Sequence, residues 1–175
     1  MPNNSISVNT RRLAVLSLSV AFAMLLSYVE SIIPAPVPLP GVKIGLANVA
    51  TVFVLVALGK RAALLVSVVR VLLISMLFGS PISAFYSLCG ALLSFFAMAL
   101  LLSLRQFSLI GVSVGGGVFH NVGQIIAASF VLGGSEAFFY LPMLIISGVV
   151  AGIFVGAASA FVLRGLRGHI SDLNY

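Results

Sequence analysis

The chain has 175 residues, 61% apolar and 7% charged, where an ordinary soluble domain carries roughly 25% charged residues. Mean hydropathy is +1.26 and the net charge is +6, from nine basic and three acidic residues. These values exclude a soluble globular domain, a disordered tail and a coiled coil, and the basic residues fall between apolar runs instead of clustering as a nucleic-acid surface.

A helix needs about 20 apolar residues to cross the bilayer core, and helices are the open-chain structures that satisfy every backbone group in lipid. Spans are predicted at 13–33, 44–58, 61–78, 82–104, 109–133 and 138–163, the second of them short. The expected fold is an all-α integral membrane protein. Residues 13–165 form a single six-helix domain, flanked by tails over 1–12 and 166–175. The apolar run after Arg11-Arg12 exceeds the roughly 7–15 residues of a signal-peptide core, so it reads as a retained helix. Pro34, Pro36, Pro38, Pro40 and Gly41 then make a connector that cannot be helical throughout. Gly59-Lys60-Arg61, Gly79-Ser80-Pro81, Arg105 and Gly133-Gly134-Ser135 mark the later turns.

Alternating through six spans puts Arg11, Arg12, Lys60, Arg61, Arg105, Arg164 and Arg167 on one side, and Lys43 alone on the other. That asymmetry predicts both termini in the cytoplasm. Small residues recur at four-residue spacing on the first span (Ser17 and Ala21, Ser19 and Ala23, Ala23 and Ser27), a pattern that admits a close helix neighbour.

Ionisable groups inside a span cost roughly 2.5–3.5 kcal/mol on insertion scales and turn toward protein interior. The candidates are Glu30, Asn48, Arg70, His120, Asn121 and Gln124. At about 1.5 Å per residue, Arg70 lies about 14 Å deep, His120 about 17 Å and Asn48 about 18 Å. Glu30 lies at about 27 Å, close to the outer surface. Three spans thus bring polar groups to one layer. That layer is either a binding site or a set of hydrogen bonds that hold helices together. His120 and Gln124, four apart, share a helix face. Gly115-Gly116-Gly117 before them permits close helix approach or a local break. A guanidinium at mid-depth requires an anion or several carbonyls, so Arg70 either pairs with Glu30 or holds an anionic ligand group. Lys43 is either a rim residue that draws in an anion or an interfacial lysine with its amine in water.

Other chemistries lack their residues. The lone Cys89 allows no internal disulfide and no cysteine metal site, and reads as a small buried or lipid-facing residue. No phosphate-binding loop is present, so no ATPase activity is expected of the chain itself. The single aspartate, Asp172, cannot form a magnesium-holding pair. No serine or cysteine nucleophile has a recognisable base.

Several segments resemble the Gx transporter family. They are Pro40-Gly41-Val42-Lys43-Ile44-Gly45-Leu46-Ala47-Asn48, Arg70-Val71-Leu72-Leu73 with Leu77-Phe78-Gly79-Ser80, Phe107-Ser108-Leu109-Ile110-Gly111-Val112-Ser113, His120-Asn121-Val122-Gly123-Gln124, and Tyr140-Leu141-Pro142 with Ser147-Gly148. Members are often labelled heptaprenyl diphosphate synthase component I. They are also similar to the S-components of energy-coupling-factor importers, which are small six-helix substrate-binding subunits. The resemblance implies an S-component-like bundle in a bacterial cell membrane that captures a small anionic micronutrient or precursor. Arg70 would hold the anionic group, while Asn48, His120, Asn121 and Gln124 would read polar atoms, with Lys43 and Glu30 toward the outer rim. Its implied partners are the small-molecule substrate, membrane lipid, an energy-coupling transmembrane protein and separate ATPases, with no cofactor and no nucleic acid. S-components usually show Ala-x-x-x-Ala on the first helix for docking, and this chain has Ser/Ala versions. The alternatives are a non-catalytic membrane component in heptaprenyl diphosphate synthesis, or an accessory to membrane flavin or quinone redox chemistry. Catalysis of prenyl elongation is not expected, because it needs aspartate-rich motifs.

Overall fold

The computed structural model describes residues 4–32 and 45–165, which form helices and turns with no strand among them. The proline-rich connector, Lys43, Arg167, His169 and Asp172 lie outside the described residues. The helices are α1 (Asn4–Ile32), α2 (Asn48–Ala57), α3 (Lys60–Phe78), α4 (Pro81–Leu104), α5 (Leu109–Leu132) and α6 (Leu141–Gly165), with a 3-10 turn over Glu136–Tyr140 before α6. Among the described residues, five stretches are long and apolar enough to cross a membrane: Arg12–Ile32, α3, α4, α5 and Glu136–Gly165.

The second expected span departs from this pattern. Where 44–58 was expected to cross, the helix covers only Asn48–Ala57, about 15 Å, or half the hydrocarbon core. Gly45, at φ 93°, turns the chain just before it, in a backbone region that a side chain would strain. The two ends of α2 are nevertheless tied to the two ends of α1. The Gly45 N–H donates to the Glu30 carboxylate, and Arg12 Nη2 donates to the Leu58 carbonyl at 3.4 Å. α2 therefore lies antiparallel to α1. It also touches α3, α4, α5 and α6, which leaves most of its surface buried. The shortest helix is the hub of the bundle.

Local chemistry explains the other boundaries. Ser80 caps α4 by accepting from the Ser83 N–H at 3.2 Å, with Pro81 in the first turn where its missing N–H costs nothing. Ser108 caps α5 by accepting from the Gly111 N–H at 3.1 Å. Gly133 ends α5 in the left-handed region. Lys60 Nζ reaches Ser103 Oγ at 2.8 Å and joins the start of α3 to the end of α4.

Two apolar clusters fill the interior. One gathers Ala23, Val52, Val54, Val66, Met98 and Val112 around α2. The other gathers Tyr86, Ile125, Ala128 and Leu144 near the α4–α5–α6 end. Large apolar side chains such as Met76, Phe130 and Phe161 face outward, as lipid requires and water would not permit. Between the two clusters sits the polar layer.

Candidate functional site

Arg70 is the buried cation of that layer, only 5% exposed on α3. Its Nη1 donates to Ser27 Oγ on α1 at 3.2 Å. Its Nε and Nη2 have no hydrogen-bond partner. Those two N–H groups lie on one edge of the guanidinium, the edge that grips a carboxylate or phosphate with two parallel bonds. Glu30 on α1 is also buried and acts electrostatically on Arg70.

Ser27, Glu30, Arg70, Ser87 and His120 line one cavity, bringing together α1, α3, α4 and α5. Its volume is about 10 Å³, enough for about one water. The Ser87 hydroxyl is buried there without a hydrogen-bond partner. The expected depths separated Glu30 from Arg70 by about 13 Å, yet the two line the same cavity. The depth count followed backbone positions along untilted helices, and it left out the reach of the two side chains, of which that of Arg70 is long.

The His120 ring is held between two glycines. A Cβ on Gly45 would lie 3.4 Å from His120 Cδ2, and one on Gly90 would lie 3.1 Å from His120 Cε1. Gly90 also admits Gln124, whose Cγ would be 2.9 Å from the same added atom. Asn48 opens α2 beside Gly45. Its Nδ2 donates to Ser94 Oγ at 3.3 Å, and its Oδ1 is buried without a partner.

The expected residues therefore divide. Glu30, Arg70 and His120 share the cavity, and Asn48 adjoins it through Gly45. Gln124 packs against α4 at Gly90, outside the cavity lining. Asn121 turns away: its Nδ2 donates to the Leu144 carbonyl of α6 at 2.6 Å, which is a helix-to-helix bond. Lys43 lies outside the described residues. The glycine run at 115–117 makes no break, since α5 is continuous. These glycines instead admit neighbours: Gly116 faces Met98, and Gly117 faces Gly148.

Sequence reasoning missed Ser87 and Ser94, and it credited Ser27 only with packing. The signal was present. Ser87, Gly90 and Ser94 recur at helical spacing on α4, and Ser27 stands one turn before Glu30. No group of three or more metal-binding side chains occurs among the described residues.

The apolar exterior, the spanning helices and the buried polar layer define a multi-pass helical membrane protein. Within that class the match is specific. The chain belongs to the family described as heptaprenyl diphosphate synthase component I, whose model matches residues 19–162. No curated protein and no solved structure matches it.

Proposed function

We propose that this protein is a membrane substrate-binding subunit that captures a small anionic molecule for uptake. Separate ATPases and an energy-coupling membrane protein would supply the work, and both termini would face the cytoplasm. The observation that carries this reading is the Nε–Nη2 edge of Arg70, buried and without a hydrogen-bond partner. A buried charge in a membrane bundle is costly to keep, and an edge shaped for a carboxylate or phosphate gives it a use. Ser87 and His120 line the same space and supply further polar contacts. The cavity holds about one water, so binding requires it to widen. The Glu30–Gly45 bond is the contact that would yield, because it ties α1 to the start of α2.

The test is mass spectrometry of the small molecules and proteins that accompany the chain after mild detergent extraction. The wild type is expected to retain a carboxylate- or phosphate-bearing molecule that Arg70→Lys loses, since lysine keeps the charge but not the two-pronged geometry. Identical small-molecule content in both proteins would sink the reading.

The family description favours a second reading, a non-catalytic membrane component of heptaprenyl diphosphate synthesis that works with another synthase component. The chain's acids are Glu30, Glu136 and Asp172, too few and too scattered for a diphosphate–magnesium site. A co-purifying soluble prenyl synthase, with no ATPase present, would support this reading over the first.

A further inference from the structure

A second cavity lies on the flank of the bundle, away from Arg70. It is a groove of about 420 Å³ between α1, α2 and α6, within the roughly 300–1,000 Å³ of ligand sites. Val15, Leu18 and Phe22 form its α1 wall, and Val49, Ala50 and Phe53 its α2 wall. Ser19 brings its one hydroxyl, which donates to the Val15 carbonyl at 2.7 Å. The groove therefore offers a polar ligand nothing and suits hydrocarbon. Leu18, 70% exposed, opens it to the lipid side.

One end of the groove is cationic. Arg12 is exposed one helical turn before Val15, and one of its N–H groups reaches the Leu58 carbonyl. Lys60 and Arg61 begin α3 just beyond Leu58. Arg164 follows Leu163, which packs in the same cluster as Val15 and Leu58. Of the acids among the described residues, Glu30 stands at the opposite end of α1 and Glu136 before the start of α6.

We propose that this groove binds one acyl chain of an anionic phospholipid whose phosphate rests on Arg12. The apolar walls take the chain, and Arg12, the rim cation one turn from Val15, selects the headgroup. A second copy of the protein is the poorer occupant. A two-fold pairing would bring the same cations to the same rim, like charge against like.

The test is native mass spectrometry of the full chain, offered phosphatidylglycerol and phosphatidylcholine with identical acyl chains in equal amounts. One phosphatidylglycerol is expected to be retained about fivefold over phosphatidylcholine, as one well-placed arginine at the headgroup level allows. Arg12→Gln should bring the ratio to about one. Val49→Phe should cut total lipid retention, and Leu18→Trp should do the same from the exposed wall, where folding is least disturbed. The proposal fails if wild type holds both lipids equally, if the preference survives Arg12→Gln, or if Leu18→Trp retains the full lipid load. It also fails if Phe22→Cys crosslinks two chains, or if an added polyprenyl diphosphate displaces phosphatidylglycerol.

Discussion

The α5–α6 interface and the layer around Arg70 are both buried, but they are built on opposite principles. Gly148, Gly152 and Gly156 recur at four-residue spacing on α6 and lie against the backbone of α5. A Cβ on Gly148 would come within 2.8 Å of the Gly117 carbonyl oxygen, one on Gly152 within 2.5 Å of Val114 Cα, and one on Gly156 within 2.7 Å of Ile110 Cα. Backbone meets backbone there, and Asn121 Nδ2 donates to the Leu144 carbonyl, while the neutral Asn121 Oδ1 and Ser113 Oγ are buried without a partner. Around Arg70, helices meet through polar side chains that keep unused donors and a small cavity. Both regions leave neutral polar atoms unpaired, but only the second adds a charged guanidinium edge facing a cavity. Neither burial nor a lone unpaired polar atom distinguishes the two regions; a buried charge beside a cavity does.

The largest expected effect sharpens the closed side of this contrast. Gly152→Leu has no flexible neighbour to push aside, because the obstructing atoms are α5 backbone. It should destabilise the protein by at least the top of the roughly 1–3 kcal/mol range for overpacking, read from detergent unfolding. A near-neutral outcome would mean that α5 and α6 are not zipped by their backbones.

The next prediction concerns the charges. Arg70→Met alone leaves Glu30 buried without its cation and should cost roughly 3–5 kcal/mol. Combining it with Glu30→Gln removes both charges and should recover most of that loss, to within about 1 kcal/mol of wild type. A double variant as unstable as Arg70→Met would show the two residues to be uncoupled structural parts.

Asn121→Ala should cost about 0.6–1.7 kcal/mol, the worth of a hydrogen bond between membrane helices, and leave small-molecule retention unchanged. Lost retention at unchanged stability would move Asn121 from glue to site. Ser87→Ala should be the mildest, within about 0.5 kcal/mol, because its hydroxyl has no hydrogen-bond partner to lose. It should weaken only the binding of a ligand that uses that hydroxyl. A large stability loss would reveal a bond through an ordered water.

Hydropathy located the long helices closely. Spans expected at 61–78, 82–104 and 109–133 correspond to α3, α4 and α5 within a residue at each end. It misjudged the ends that lipid does not decide. α1 begins at Asn4, before its apolar run, and the last span opens with a 3-10 turn before α6 begins at Leu141. α2 shrank because hydropathy cannot tell a spanning segment from one buried by its neighbours, and Gly45 needs a turn that only its dihedral reveals. In the layer, residue type singled out Arg70 and His120, and the structure places both on one cavity. Pairing across helices was not legible, so the bond from Asn121 Nδ2 to the α6 backbone could not be read in advance. The α6 glycine ladder was readable by spacing alone and was missed. Of the small pairs on α1, Ser19, Ala23 and Ser27 face inward, while Ser17 and Ala21 are exposed.

The short α2 has a consequence for how the molecule is made. Ten residues fall well below the about 17 that a bilayer needs to hold a helix by itself, and α2 opens with the polar Asn48. During synthesis it emerges after α1 but before α3 to α6, the helices that bury most of its surface. Its seating is therefore expected late in biogenesis, after α6 has left the ribosome. Truncation before α6 should leave the segment after Gly45 open to water-soluble labelling reagents that the full-length chain excludes.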